Sequence, residues 1–573
     1  MTTFNLISTT LCALLIAFAF AIKAKERGIL SGSLKTGERL TGTADKLHCP
    51  ALLLILALAA FTSLYKLTEI PAGVNIDEAG VAYDAYCLVN YGVDRWLYRY
   101  PVYFINHGRG MSAVYTYMTA LNIKLFGFSM FSVRLFNAAL RVAQTLAVYS
   151  LFKIVKGKRS ALFASLLSTL LPIFFMVHRY GVDGYPLLAF FIIALSLLCQ
   201  ALKAGGLRRF ALAGLAFGAA LYSYALSYLM IPVFLLLTLL CLIRCRKVSL
   251  KQALALTLPL LLLAAPLIAE LMVNQGLLPE IRSFISFPKL PAYAGDELSP
   301  ANIPSTFLQS WQLFFNNSIP HSAIAPYYTL YLMSIPLVAA GFFLEAKDAV
   351  KALKGRRLDF SLIALSAFLA SYGTGLLVGG FNITRLISVF APLLWFIVCG
   401  ARFVWRRLGL LFMFIPALYC ALALSFYSYY FTSYNEDNYP IIYFDAGATE
   451  LYRELREKYP DSFMYFLTYR AGATYTDSYI YALLGGLTSP YDFNASYIAE
   501  PENSSYGYNR FYIPVREIGG EIIYEVYENC VYVVYLPTTG ETIDSLLEKL
   551  DESSLVREER YPYAVYSPQG LGQ

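Results

Sequence analysis

Residues 51–78 read ALLLILALAAFTSLYKLTEIPAGVNIDE, and this stretch decides the fold. The apolar run from Ala51 to Leu64, with its flanks, is long enough to cross a bilayer. The acidic pair Asp77-Glu78 follows, and the aromatic-rich sequence from there to about Phe131 is too polar for a membrane helix. Two adjacent carboxylates therefore lie where a helix leaves the membrane. Partial desolvation there makes a carboxylate a usable base near neutral pH, whereas a solvated pair of loop carboxylates is the simpler alternative.

The composition is that of a polytopic membrane protein. Of the 573 residues, 58% are hydrophobic and 14% are charged, and the mean hydropathy is +0.54. Apolar runs of about 20 residues recur along the first three quarters of the chain, as in membrane-spanning helices. The net charge of +7 comes largely from Lys and Arg in short loops between these runs. This is the positive-inside pattern, and it predicts no nucleic-acid partner.

The apolar runs predict about twelve transmembrane helices. They lie near residues 6–22, 50–68, 131–153, 160–177, 184–202, 209–225, 227–243, 252–271, 327–345, 359–379, 386–404 and 408–428. Basic residues follow the first run and none precedes it, which predicts an uncleaved helix with an external N-terminus. Every basic cluster then falls on the cytoplasmic side, so we expect a multi-pass plasma-membrane protein with an external C-terminal region.

Three regions follow from this topology. Residues 1–49 hold an extra N-terminal helix and a cytoplasmic basic loop, and residues 50–428 form the main membrane domain. Two long external loops, 69–130 and 272–326, interrupt that domain. Residues 429–573 change to a soluble pattern of helices and strands. The predicted fold class is therefore a polytopic α-helical membrane protein with a C-terminal external α/β domain.

The first external loop has helical character of its own. The segments Tyr83–Tyr86 and Ser112–Phe126 are amphipathic with aromatic residues on one face, so we expect them to lie flat at the membrane interface. The nine cysteines have no metal-ligand spacing. Cys87 and Cys530 would both be external, which leaves a disulfide between them open.

Ionisable residues gather at the external ends of the predicted helices. They are Asp77, Glu78, His107, Arg109, His178, Arg179, Asp183 and Arg385. Such groups at membrane depth cost free energy and tend to have a function. Simpler roles stay open, because Arg179 would snorkel to the interface and Asp183 would cap the next helix. Arg134 and Arg141 lie inside the third predicted helix, where only a buried partner or a shifted helix boundary would explain them.

A mixed cluster of acids and cations suits group transfer at the interface. A carboxylate takes the proton of a hydroxyl nucleophile, and arginines hold a phosphate and stabilise its charge as it leaves. A polyprenyl-phosphate sugar, with its phosphate at the interface and its tail in lipid, fits such a cluster, and direct displacement would invert the anomeric centre. A transporter or flippase of a lipid-linked sugar is the main alternative, and a scaffold or sensor with a working external domain is a third.

Several sequence motifs, and their order along the chain, resemble those of the GT-C superfamily of integral-membrane glycosyltransferases. The resemblance is greatest to the glycosyltransferase family 39-like branch, with the protein O-mannosyltransferases and the lipid A aminoarabinose transferases. It covers roughly residues 50–430. The matching residues are Asn75 to Ala79 with Tyr83, Leu125 to Ser129 with Arg134-Leu135, Pro172, Arg179 to Asp183, and Pro326 to Leu330 with Pro336.

The resemblance implies a site and a donor class. It makes Asp77 the catalytic base, places Asp183 at the second acidic position, and makes Arg109 and Arg385 the candidates to grip the donor phosphate. The cluster of ionisable residues adds Glu78, with Asp183, as a supporting acid that binds the acceptor, Arg179 as a further phosphate ligand, and His107 and His178 as further candidates. The family branch uses monophosphate donors, so we expect neither a catalytic metal nor a cofactor. The helix at 6–22 and the 429–573 region depart from the family pattern, and they leave the sugar (hexose or pentose) and the acceptor (protein, glycan polymer or lipid) open.

Overall fold

The structure is a computed structural model. It describes residues 2–28, 48–106, 109–291, 298–315, 322–379, 381–437, 443–445, 447–459, 463–467, 479–496, 498–500, 505–508, 511–513, 516–518, 521–523, 530–536, 547–548, 550–560 and 562–568.

Most of the described chain is helical as far as residue 436. The helices of this region are α1 (Thr2–Gly28), α2 (His48–Leu64), α3 (Ile76–Tyr91), α4 (Ala113–Phe126), α5 (Met130–Val155), α6 (Lys158–Leu170), α7 (Pro172–Met176), α8 (Pro186–Ala204), α9 (Leu207–Leu221), α10 (Ser227–Arg244), α11 (Leu250–Asn274), α12 (Ile303–Gln309), α13 (Gln312–Phe315), α14 (Ser334–Lys354), α15 (Ser361–Leu376), α16 (Phe390–Leu408) and α17 (Phe414–Thr432). Short 3-10 turns occupy Pro300–Asn302, Thr384–Val389, Gly409–Met413 and Tyr434–Glu436. Each segment predicted to cross the membrane overlaps one of these helices.

Six stretches of the described residues are long and apolar enough to cross a membrane. They are Thr3–Lys23, Met130–Val155, Pro186–Ala204, Ser227–Arg244, Leu250–Asn274 and Thr384–Thr432. Two shorter apolar helices are His48–Leu64 and Ser361–Leu376. A multi-pass membrane protein follows from these lengths, whereas the larger number of crossings and the orientation of the termini stay predictions.

Local sequence signals set several helix ends. Ser249 caps α11 in a reciprocal capping box with Gln252, and the Ser129 side chain accepts a hydrogen bond from Ser132 N at the start of α5. The predicted helix at 160–177 is split, because Pro172 opens the separate short helix α7.

Glycines bring α14 and α16 into close contact. A Cβ on Gly341 would overlap the carbonyl of Phe396, and a Cβ on Gly400 would overlap the carbonyl of Leu337. The two helices therefore meet backbone to backbone, as membrane helices with small residues at their interface do. This contact lies within the large buried cluster that forms the core of the helical region.

The first long loop, residues 69–130, contains a hairpin as well as helices. Its strands β1 (Tyr103–Asn106) and β2 (Arg109–Ser112) pair antiparallel between α3 and α4. Both predicted amphipathic segments are helical, but α3 is buried along most of its length, so the prediction that Tyr83–Tyr86 lies flat at the interface is wrong. The α4 helix keeps exposed apolar side chains, including Leu125 at 64% exposure.

The side of α3 that carries Tyr83 packs against the C-terminal region. The hydroxyl of Tyr83 donates to the Thr488 carbonyl at 2.9 Å, and that of Tyr86 donates to the Leu487 carbonyl at 3.3 Å. Val74 and Tyr83 share a buried apolar cluster with Leu451 and other C-terminal residues. The C-terminal region is therefore joined to α3, the helix whose first turn carries Asp77.

Helices and strands both occur within residues 429–573. The helices are α18 (Ala448–Lys458), α19 (Tyr479–Gly486) and α20 (Pro490–Ser496). The strands are β3 (Phe463–Leu467), β4 (Ile498–Glu500), β5 (Ser505–Tyr508), β6 (Phe511–Ile513), β7 (Arg516–Ile518), β8 (Glu521–Ile523), β9 (Cys530–Tyr535), β10 (Val556–Arg560) and β11 (Tyr563–Ser567). Seven of these strands form a mixed sheet in the order β10-β11-β9-β3-β6-β5-β4, with β3 parallel to β6 and β9. The strands β7 and β8 pair antiparallel in a separate two-stranded sheet. Its external position stays a prediction. Cys87 and Cys530 are both buried, and no disulfide joins the two.

Candidate active site

A buried ion pair fixes the loop that precedes α3. Arg134 on α5 donates from Nε and Nη2 to the two carboxylate oxygens of Glu78, both at 2.9 Å, and both side chains are fully buried. The same guanidinium donates to the carbonyls of Leu67, Pro71 and Gly73. The pair explains an arginine inside the third predicted helix. It also gives Glu78 a structural position, out of reach of an acceptor.

Asp77 lies next to Glu78 but points elsewhere, because successive helical residues project about 100° apart. Its side chain is only partly buried. The Asn75 side chain accepts a hydrogen bond from Asp77 N at 3.0 Å and caps α3. Asn106 donates from Nδ2 to Asp77 Oδ1 at 3.3 Å. The helix start and the hairpin thus orient this carboxylate from two sides.

The hairpin brings Arg109 to the same place. Asn106 and Arg109 are partners across β1 and β2, and the Arg109 side chain is exposed. Asn106 packs closely on α3, because a Cβ on Gly80 would lie 2.6 Å from Asn106 Oδ1. His107 lies outside the described residues, so its predicted role stays untested.

Asp183 lies in the turn between α7 and α8, opposite Asp77. Its Oδ2 accepts a hydrogen bond from Ser112 N at 3.1 Å, so it joins the end of β2 rather than capping α8. Glu78 accepts from Gly181 N at 2.9 Å and so fixes the same turn. Burial, and secondly the charge of Asp77, raises the pKa of Asp183 to about 7. The two carboxylates therefore lie close enough to influence each other's protonation.

The 3-10 turn Thr384–Val389 completes this side of the site. A Cβ on Gly184 would lie 2.9 Å from Thr384 Cγ2 and from the ring of Tyr224, so the turn packs directly on the residue after Asp183. Arg385 follows Thr384, is partly buried, and donates a hydrogen bond to the Gly379 carbonyl. The structure thus brings Asp77, Asp183, Arg109 and Arg385 to one end of the bundle.

Arg179 lies outside this group. Its side chain is fully buried, so it does not snorkel to the interface. The guanidinium donates to carbonyls at and beyond the C-terminal end of α2, among them Ser63 at 2.7 Å and Ile70 at 2.8 Å. It thereby satisfies carbonyls that the end of a helix leaves without partners. This position suits a structural role for Arg179 rather than a grip on phosphate.

Two further buried residues in the core have structural partners. His178 is fully buried and its Nδ1 lies 3.0 Å from the Phe174 carbonyl. Arg141 bonds Thr62 Oγ1 at 2.8 Å and the Thr169 carbonyl at 2.7 Å. The predicted buried partner for Arg141 is thus found, and His178 is placed away from the acids.

The described residues contain no group of three or more His, Cys, Asp and Glu side chains that could hold a metal ion. Both carboxylate oxygens of Glu78 accept hydrogen bonds from Arg134.

Two neighbours of Asp77 escaped the sequence analysis. Asn106 is an ordinary loop residue by sequence, and only the hairpin pairing with Arg109 marks it. Tyr185 lies near Asp77, and burial, with a lesser contribution from the Asp77 charge, raises the pKa of its phenol to about 12. Its hydroxyl lies 2.8 Å from Ser322 Oγ. In the sequence, only its position directly before Pro186 and two residues after Asp183 marks Tyr185 as a candidate for the site.

Comparison with known proteins agrees with this architecture. Residues 111–269 match the family model described as dolichyl-phosphate-mannose-protein mannosyltransferase. The structure is similar to ArnT from Cupriavidus metallidurans bound to undecaprenyl phosphate, with a TM-score of 0.54 and 14% sequence identity over 91% of this chain and 99% of that chain. The chain has the GT-C fold. The resemblance inferred from the sequence is therefore confirmed at the level of the fold.

Two further solved structures are similar to this chain. ArnT in the apo state gives the same TM-score of 0.54 at 14% identity, over 92% of this chain and 99% of that chain. The apo oligosaccharyltransferase of Archaeoglobus fulgidus gives 0.45 at 15% identity, over 78% of this chain and 64% of that chain. No curated protein sequence matches the chain.

Proposed function

We propose that this protein is a membrane glycosyltransferase that moves a sugar from a polyprenyl-phosphate donor to a hydroxyl acceptor on the external face, with inversion. The observation that carries the proposal is the pair Asp77 and Asp183 at one end of the bundle, with Arg109 and Arg385 beside it. Ionisable groups gathered at one end suit chemistry at the interface better than transport, where they usually lie near the midplane.

In the proposed step, the acceptor hydroxyl oxygen attacks the anomeric carbon of the sugar. The new carbon–oxygen bond forms as the bond from that carbon to the phosphate oxygen breaks, and the phosphate leaves with the electron pair. Asp77 takes the proton of the hydroxyl as general base. Arg109 and Arg385 stabilise the charge that develops on the phosphate. No step requires a redox partner.

Support for the donor class comes from the ligand bound in the structural neighbour. ArnT, which shares the fold over 91% of this chain, was crystallised with undecaprenyl phosphate. We infer that a polyprenyl monophosphate is the leaving group here too. Arginines suffice to bind one phosphate, so we propose that neither a divalent metal nor a cofactor takes part.

A transfer assay on the purified full chain tests the proposal. Wild type and Asp77→Asn would receive labelled polyprenyl-phosphate mannose, arabinose and 4-amino-4-deoxyarabinose with protein, glycan and lipid acceptors, with and without chelator. We expect wild type to consume one donor in chelator and Asp77→Asn to lose nearly all of that activity. Glu69→Gln, an exposed carboxylate in the same loop, is the matched control and should stay active.

Three results would contradict parts of this proposal. Full activity in Asp77→Asn would make Asp77 structural. Loss of activity in chelator with rescue by Mg²⁺ or Mn²⁺ would show that a metal takes part. Failure of wild type to consume any donor, together with flux of a lipid-linked sugar across liposomes, would favour a transporter.

A further inference from the structure

Glu270 is a buried carboxylate in the last two turns of α11, at the end of that helix that faces the second external loop. It is 1% exposed. In the described part of the chain its carboxylate has one hydrogen-bond donor, Asn274 Nδ2 at 2.6 Å, and no Lys or Arg within ion-pair distance. Three other buried acids each pair with a cation. They are Glu78 with Arg134, Asp84 with Arg95, and Glu345 with Lys156.

A structural role accounts poorly for a carboxylate in this position. The C-terminal end of a helix carries partial negative charge, so an acid there is repelled, and the last turn of α11 holds no basic residue to offset it. Burial without a counter-charge adds a further penalty. Ionisable groups that persist at such depth usually contact a substrate or an ion.

Contacts on either side connect Glu270 to the candidate active site. Asn274, which holds Glu270, also donates to the Pro288 carbonyl at 3.3 Å and accepts from Leu290 N at 2.8 Å. Leu290 packs in a buried cluster with Tyr103. The second external loop therefore covers Tyr103 and orients the Glu270 carboxylate through one amide.

Tyr103 links this corner to Asp183. It is the cross-strand partner of Ser112, whose backbone N–H donates to Asp183 Oδ2. Burial raises the pKa of the Tyr103 phenol well above its usual value, and the charges of Asp183 and Glu270 raise it further. Both carboxylates are thus near one phenol.

We propose that Glu270 is a specificity-determining residue that accepts hydrogen bonds from a hydroxyl or ammonium group of a substrate in this site. The proposal rests on the proposed function. Such a group satisfies the carboxylate that the protein leaves with a single donor, and a site built this way rejects substrates that lack the group. The group belongs either to the sugar of the donor or to the acceptor. In the first case the KM for the donor depends on Glu270, and in the second case the KM for the acceptor does.

The test compares Glu270→Gln with wild type in the transfer assay. We expect kcat/KM to fall about ten- to a hundredfold through KM, for the donor or for the acceptor, because a charged hydrogen bond is lost. Polyprenyl phosphate, which has no sugar, should bind both proteins equally if the donor sugar is the ligand. Glu280→Gln is the matched control, since it changes a partly exposed carboxylate in the same external loop.

Substrate analogues give an independent readout. A donor or acceptor that lacks the recognised group should react poorly with wild type, and Glu270→Gln should no longer discriminate against it. Unchanged KM values together with unchanged discrimination would overturn the inference while leaving the proposed function intact. Absence of donor consumption by wild type would instead overturn the proposed function. If Glu270→Gln did not fold, Glu270→Asp, which moves the carboxylate back by one methylene, would replace it under the same criteria.

Discussion

The Glu78 carboxylate and the Arg134 guanidinium form a two-point ion pair with no solvent exposure, one residue away from Asp77. Because Glu78 also accepts a hydrogen bond from Gly181 N, the pair holds both the start of α3 and the turn that carries Asp183. The distance between the two candidate catalytic acids therefore depends on an ion pair that does not touch a substrate.

Breaking this ion pair should destabilise the protein severely. Glu78→Gln leaves the Arg134 charge buried without a counter-charge, and we expect a loss of about 3–5 kcal/mol in the free energy of unfolding. The measurement is thermal unfolding in detergent, with Asp551→Asn as control, because it breaks the exposed ion pair of Arg557, which contributes at most about 1 kcal/mol. Equal melting temperatures for the two variants would contradict this account.

Gly80→Ala should impair catalysis more than substrate binding. The new Cβ would lie 2.6 Å from Asn106 Oδ1 and 2.8 Å from Arg95 Nη2, so Asn106 must move and its hydrogen bond to Asp77 weakens. We expect kcat to fall about tenfold, with a stability loss of about 1–3 kcal/mol from overpacking. Gly373→Ala in α15, where a Cβ meets nothing within 4 Å, should change neither. A wild-type kcat in Gly80→Ala would show that Asn106 is dispensable.

The neighbouring residues Asp77 and Glu78 show what the sequence of this protein predicts and what it does not. Apolar runs and basic loops place the helices, because length and charge bias act locally. The sequence also marks the acidic pair Asp77-Glu78, yet it assigns both residues to the site. Only the fold separates them, since the partner of Glu78 is Arg134, 56 residues away.

Two further residues depend on contacts of the same kind. The partners of Arg179 include carbonyls from residues 62–70, which no sequence pattern reveals. Glu270 is a lone acid at the end of an apolar run, and its place beside Tyr103 depends on how residues 69–130 and 272–326 pack.

The transfer activity should rise with pH as the Asp183 carboxyl ionises near pH 7. Its raised pKa of about 7 means that Asp183 ionises there, and its negative charge then increases the proton affinity of the neighbouring Asp77, a stronger base. We expect kcat/KM of wild type to show an ascending limb near pH 7 that Asp183→Asn lacks. The same limb in Asp183→Asn would assign it to another group.

The same raised pKa of Asp183 predicts how the stability of Asp183→Asn, relative to wild type, changes with pH. A carboxyl whose folded pKa lies above its unfolded value destabilises the fold as pH rises from about 4 to about 7. The melting temperature of Asp183→Asn relative to wild type should therefore increase between pH 5 and pH 8. A difference that does not change with pH would mean that Asp183 is not protonated preferentially in the folded state.

Alanine substitutions should distinguish arginines that bind the donor phosphate from an arginine that stabilises the fold. We expect Arg109 and Arg385 to be of the first kind and Arg179 of the second. Arg109 is exposed and Arg385 partly buried beside the acids, so their loss should raise the Kd for polyprenyl phosphate about ten- to a hundredfold, as expected for a charged hydrogen bond. Their melting temperatures should stay close to that of wild type.

Arg179→Ala should instead lower the melting temperature strongly. It removes a buried donor from the carbonyls of Ser63 and Ile70, and removes stacking of the guanidinium on Phe175, Tyr430 and Phe431. We expect a loss of more than about 4 kcal/mol, since several buried acceptors lose a partner at once. The melting temperature and the Kd for polyprenyl phosphate are both measured for each variant, in detergent with and without the lipid. A stable Arg179→Ala protein that binds the lipid phosphate weakly would contradict the structural role and support a place for Arg179 in the donor site.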